Sequence, residues 1–129
     1  MACCASVTRS AFVSPLSIAV AACEQCGRNR VPFIHPPETL ASWIALQVAP
    51  IERHTRLILS LHAQAVGLHA LAQGAGLQAA SFTVLLGPEG GLSPAEEAKA
   101  MAIGFAPVSL GERVLRAETA ALAALTLLG

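Results

Sequence analysis

Two stretches of the chain carry residues suited to holding a small polar molecule by main-chain atoms. Gly87-Pro88-Glu89-Gly90-Gly91 follows the apolar run Phe82-Thr83-Val84-Leu85-Leu86 and precedes Ser93-Pro94-Ala95-Glu96. The run has the length and continuity of a parallel strand covered on both faces. Ser93 to Glu96 is a capping box with proline at the first helical position. The glycines therefore fall between a strand's carboxyl end and a helix's amino end, where parallel α/β sheets bind ligands. Lacking Cβ, they let the backbone approach a ligand closely and take positive φ. A plain tight turn would need the same residues. Known phosphate loops are excluded, because no Gly-Lys-Ser/Thr follows and Glu89 would repel phosphate. Gly74-Ala75-Gly76-Leu77-Gln78-Ala79 has the letters of a dinucleotide loop but precedes a strand instead of following one.

The second stretch, Leu110 to Thr119, also lies between a strand and a helix. Two such bends would place amides and carbonyls around one crevice. Arg113 and Arg116 add cations, and Glu118-Thr119 suit the cap of the final helix. A salt-bridged surface turn accounts for this spacing equally well. Metal chemistry is not expected. Cys23 and Cys26 form a C-x-x-C, but Cys3 and Cys4 are adjacent and cannot supply a second half-site. His35, His54, His62 and His69 show no metal-ligand spacing either. Reduced thiols in a reducing cytosol are the simplest reading.

These bends need elements to hold them. Leu16 to Cys26 has helical spacing and stops at Gly27. Val31 to Ile34 is short and extended, and Glu38 to Gln47 reads as a helix. Arg56 to Leu61 is a buried-strand candidate, followed by a weaker helix over Gln64 to Gln73. After the strand at residue 82, a helix runs to about Ile103, a strand spans Ala106 to Leu110, and a helix closes the chain over Ala117 to Leu128. The last helix is apolar on nearly every side, which predicts burial on several faces. Strands alternating with helices predict an α/β fold with a mainly parallel sheet and helices on both faces. Residues 1–15 read as an irregular segment, and residues 16–129 as the domain.

At 129 residues the chain suffices for one core. Hydrophobic residues make up 54% and charged residues 12%, the latter about half the usual share. Disorder is excluded. Eight basic residues balance eight acidic ones, so RNA contact must come from a local cluster. So apolar and uncharged a chain predicts surface buried against a partner, either a second copy or a missing other half of the same protein. No apolar run reaches the roughly 18 residues that span a bilayer. Pro15 and two serines interrupt the weak leader-like stretch ending at Cys23, so a cytoplasmic location is expected.

Taken together, three segments resemble the ribosomal small-subunit methyltransferase E family. They are Ala22-Cys23-Glu24-Gln25-Cys26-Gly27-Arg28-Asn29-Arg30-Val31-Pro32, the run Leu85 to Ser93, and Leu110 to Ala120 after Gly104-Phe105. The resemblance covers roughly residues 16–129. It implies a SPOUT-type α/β fold with a C-terminal trefoil knot, usually dimeric. It further implies methyl transfer from S-adenosylmethionine to N3 of one uridine in 16S ribosomal RNA of the small subunit. By analogy, Leu86, Gly87, Glu89, Gly90 and Gly91 would hold the cofactor with Leu110, Gly111, Val114 and Leu115, and Leu61-His62 would lie near the adenosine. Arg28 would face RNA or a dimer partner.

Three departures accompany the resemblance. The family's amino-terminal RNA-binding barrel has no counterpart, nor does the Lys- and Glu-rich opening of its catalytic domain. Glu112 stands where the family usually has proline. The segment therefore reads as a partial catalytic domain, truncated at the N-terminus. The rival expectation is a non-catalytic remnant that binds cofactor or dimerises.

Residue chemistry fits that reaction. A carboxylate tight against a sulfonium would stabilise the reactant more than the transition state. Glycine bends offer main-chain dipoles instead. Uracil N3 keeps its proton at neutral pH, and a guanidinium against O2 or O4 would lower that pKa. Arg116, or Arg28 of a second copy, is the candidate. Glu118 or Glu89 could accept the proton, although helix capping or ion pairing suits both.

Overall fold

The structure, a computed structural model, describes residues 2–3, 14–47, 53–61, 65–73 and 81–129. In chain order the elements are β1 (Ala2–Cys3), α1 (Pro15–Gln25), α2 (Leu40–Ala45), β2 (His54–Leu59), β3 (Val66–Gly67), α3 (Leu68–Gln73), β4 (Ser81–Leu85), α4 (Pro94–Ala102), β5 (Ala106–Ser109) and α5 (Ala117–Leu128). The strands form one sheet in the order β1-β4-β2-β5-β3, and every pairing is parallel. β5 thus lies between β2 and β3, which are successive in the chain.

Successive side chains of a strand point to opposite faces, and the central strand shows the consequence. Leu57 packs with Leu68, Val108 and Ala124, beneath α3 and α5. Its neighbour Ile58 packs with Leu85, Ala100 and Phe105, against α4, with Trp43 and Leu40 of α2 alongside. Burying each such side chain contributes roughly 1.5–3 kcal/mol. The expected α/β sheet with helices on both faces follows from this division.

The face carrying Ile58 also holds polar groups, and each is satisfied. His54 Nδ1 lies 2.7 Å from Ser81 Oγ, and its Nε2 lies 2.8 Å from Thr83 Oγ1. Arg56 donates from Nη1 to the Ile103 carbonyl at 2.9 Å, where its charge complements the carboxyl end of α4. Its guanidinium also sits 5.9 Å from the centroid of Phe105.

The capping box forms at α4 as the residues predict. Ser93 Oγ accepts from the Glu96 N–H at 3.3 Å, and Glu96 Oε2 accepts from the Ser93 N–H at 2.8 Å. The Ser93 hydroxyl bonds to the same carboxylate at 2.7 Å. That hydroxyl, then the Ser93 N–H, and more weakly Lys99, hold Glu96 below the ordinary carboxylate range. A depressed folded pKa stabilises the cap above the unfolded value and is lost as pH falls through the folded one. The Ser93 amide resonance is therefore expected to titrate with a midpoint below the unperturbed glutamate value of about 4.3. A midpoint at or above that value would contradict the cap.

Several boundaries differ from expectation, each for a local reason. The strand expected over 56–61 runs from His54 to Leu59, starting after Arg53, whose φ is 64°. α2 is six residues long, because Thr39, after Pro36-Pro37, caps it by accepting from the Ser42 N–H at 3.2 Å. β3 was not anticipated, since two residues carry no periodicity. α5 does not have several buried faces: only Ala124 is buried, while Leu122 and Leu125 are 67% and 37% exposed. One side of that helix meets the sheet and α3; the other meets solvent. Its N-cap is Arg116, with no side-chain cap bond, instead of Glu118-Thr119. His62, Gln64, the 74–79 glycine stretch and residues 4–13 lie outside the described residues. No described helix is long and apolar enough to cross a membrane.

Candidate functional site

Because β4 and β5 both pair parallel with β2, the carboxyl ends of all three strands emerge at one edge of the sheet. Both bends singled out in the sequence leave from that edge. The first follows β4. Gly91 N–H donates to the Pro88 carbonyl at 2.8 Å, closing a four-residue turn, and Gly91 takes φ +77°. A Cβ on Gly87 would stand 2.8 Å from Leu92 N and 2.9 Å from the Gly91 carbonyl carbon. Only glycine fits there.

The second bend follows β5. Gly111 takes φ +121°, and its N–H donates to Ser109 Oγ at 3.0 Å. The Ser109 hydroxyl lies 3.0 Å from the Gly111 carbonyl. Beyond it the chain reaches Arg116, whose carbonyl accepts from the Ala120 N–H at 2.8 Å and starts α5. This bend walls a hollow. It is lined by Leu59, Ser60, Leu61, Val108, Ser109, Ala120 and residues Leu110 to Leu115.

Leu61 joins the two bends. It lines the hollow, and its Cδ1 lies 3.6 Å from the position of a Cβ on Gly91. The bends are therefore neighbours across one side chain.

Of the expected residues, Leu61, Leu110, Gly111, Val114 and Leu115 line the hollow. Leu86, Gly87, Glu89, Gly90 and Gly91 form the adjoining bend but are not in the wall, and Glu89 and Gly90 are exposed. Arg116 and Glu118 are exposed at the start of α5, one residue and three residues past Leu115. Arg28 is exposed in the turn after α1 and is not among the lining residues. Ser60 and Ser109 were not singled out from sequence. The signal for them was the residue at the carboxyl end of each strand, where a small polar side chain faces the edge. The Ser60 hydroxyl donates to Glu97 Oε2 at 3.1 Å, and that carboxylate is only 6% exposed. Ser60 N–H donates to the Val108 carbonyl at 3.0 Å, holding the β2 and β5 ends together.

Comparison with known proteins agrees with this geometry. Residues 15–129 match the model of a family described as an RNA methyltransferase domain. The chain is 36% identical over 112 residues to the ribosomal RNA small subunit methyltransferase E of Buchnera aphidicola from Schizaphis graminum, covering 87% of this chain and 42% of that protein. Among solved structures, it resembles a ribosomal RNA small subunit methyltransferase E from Neisseria gonorrhoeae bound to S-adenosyl methionine. The TM-score is 0.68 at 33% identity, covering 87% of this chain and 43% of that one. A methyltransferase from Legionella pneumophila in complex with the cofactor SAM gives a TM-score of 0.71 at 38% identity, over 88% and 43%. The chain thus spans about two fifths of the length of these relatives. With both glycine bends in place on a parallel sheet and the family model matched from α1 to the last residue, the chain belongs to the RNA methyltransferase domain family.

Proposed function

We propose that this chain is the cofactor-binding part of an S-adenosylmethionine-dependent methyltransferase that modifies N3 of a uridine in small-subunit ribosomal RNA. The observation that carries the reading is the hollow walled by the bend after β5, with the glycine bend after β4 adjoining it at Leu61. The residues present fit the cofactor. Gly87, Gly91 and Gly111 expose main chain where side chains are excluded or strained. Leu61, Val114 and Leu115 give apolar surface for a flat heteroaromatic ring. Among the described residues of the wall, Glu112 is the carboxylate, and it is exposed, so a sulfonium can be held mainly by main-chain dipoles. When bound, the cofactor supplies an electrophilic methyl group.

The chain's own contribution is to orient and to shift a proton. Arg116 follows Leu115 directly and heads a helix of 12 residues, whose amino end adds partial positive charge. Set against uracil O2 or O4, its guanidinium favours the N3 anion. Glu118, in the first turn of α5, is the candidate acceptor of that proton. Arg28 of a second copy is the alternative cation. The exposed Leu122 and Leu125 of α5 support association of two copies. The insertion of β5 between two successive strands supports a C-terminal knot. A cytoplasmic location accords with a ribosomal substrate.

The test is calorimetric titration with S-adenosylmethionine, followed by transfer of labelled methyl to small ribosomal subunits lacking the modification. Binding with transfer to a uridine N3 is the expected result. Binding without transfer would favour the non-catalytic module, and no binding would overturn both.

A further inference from the structure

A second surface is the segment that follows α1, none of whose residues lines the hollow. α1 ends in a Schellman turn: Arg28 N–H donates to the Cys23 carbonyl at 2.8 Å, Gly27 N–H to that of Glu24 at 3.4 Å, and Gly27 takes φ +69°. The chain thus leaves the helix in a fixed direction. Cys23 Sγ donates to the Arg30 carbonyl at 3.6 Å and ties the segment back. From Arg28 to Thr39 every residue is exposed and none belongs to a helix or strand. Pro32, Pro36 and Pro37 fix φ along the stretch, which stiffens it.

Two cations and two rings stand on this strap. Arg28 and Arg30 stand at its start and Glu38 near its end, and no acidic residue occurs between Glu24 and Glu38. Phe33 is 78% exposed, more than any other large apolar side chain described. Its ring meets His35 edge to face, with centroids 4.6 Å apart at 76°. That contact steadies the phenyl ring and covers at most one of its faces.

We infer that the strap is a stacking platform for an unpaired RNA base, Phe33 taking the base and Arg28 and Arg30 the flanking phosphates. The inference rests on the proposed modification of uridine N3. That nitrogen lies on the pairing edge of the base, so the substrate must be unpaired where it is methylated. Bases freed from pairing are those that aromatic side chains stack. An apolar protein partner would match Phe33 but gives no reason for two arginines without an acidic neighbour; a phosphate backbone matches both.

The experiment uses the full chain carrying Trp43→Phe and Phe33→Trp, so that its single indole reports from the strap. Trp43 contacts the Phe105 ring at 5.9 Å, and phenylalanine keeps a ring there. Titration with an oligouridylate of about eight nucleotides is expected to quench the indole. Phe33→Ala in the parent chain should weaken binding about ten-fold. Arg28→Ala and Arg30→Ala should each reduce the slope of log affinity against log salt by roughly 0.7. The inference is overturned by an unquenched indole, by undiminished binding of Phe33→Ala, by equal binding of the oligonucleotide in a duplex, or by no binding. A parallel titration of Phe33→Ala with S-adenosylmethionine separates the two readings. Cofactor binding that persists while the RNA result fails removes the platform and leaves the proposed function standing.

Discussion

Replacing Gly87 with alanine is expected to weaken S-adenosylmethionine binding by at least about ten-fold while helix content is unchanged. The reason is steric and local. The added methyl would stand 2.8 Å from Leu92 N and 2.9 Å from the Gly91 carbonyl carbon, and both are main-chain atoms that cannot rotate aside. The turn closed by Gly91 N–H and the Pro88 carbonyl must open. Gly91 then moves relative to Leu61, and the two bends change their relative position. Overpacking of this kind costs about 1–3 kcal/mol, here concentrated at the site instead of the core. Gly90 provides the control for backbone strain, because a Cβ there meets nothing within 4 Å. Gly90→Ala should leave thermal stability within about 0.5 kcal/mol of the parent. Equal destabilisation by both substitutions would show that the bend is not built as described.

Arg116→Ala is expected to cut methyl transfer by about a hundred-fold or more, as loss of one aimed electrostatic group does, with cofactor affinity nearly unchanged. Arg116 is exposed, caps α5 through its carbonyl and not its side chain, and is not in the wall of the hollow. Truncating it therefore leaves the bend, the helix start and the cofactor contacts intact. What is lost is the charge that favours the N3 anion. Two features mark this mechanism. The defect falls on turnover instead of binding, and it shrinks as pH rises toward the pKa of free uridine, where the anion forms unaided. Arg116→Lys should restore part of the rate through charge alone. Parallel loss of rate and cofactor affinity, or a pH-independent defect, would remove Arg116 from the chemistry. Transfer is best measured in this chain and at the matching arginine of a full-length relative.

The contrast between these two residues reflects what a sequence can carry. Local devices were legible: the capping box at Ser93 and Glu96, the glycine stop at Gly27, and the apolar runs of β4 and β5. Each depends on neighbours within a few positions. The two bends were legible as bends, because each follows an apolar strand run and precedes a helix start. Their meeting through Leu61 depends on β4 and β5 flanking the same strand, a relation that no local periodicity expresses. The exposure of Leu122 and Leu125 was misread for the same reason. An all-apolar helix predicts burial, but how many faces are covered depends on the elements around it. β3, two residues long, lies below any periodic signal. Ser60 and Glu97 are 37 positions apart, and only the parallel sheet brings them within hydrogen-bond distance.

The central claim is that two bends, after β4 and after β5, serve one molecule. Amide chemical shifts followed during titration with S-adenosylmethionine measure this directly. Gly87, Gly91, Leu61, Gly111 and Leu115 are expected to shift together along one saturation curve. Shifts confined to one bend, or two curves with different affinities, would contradict it.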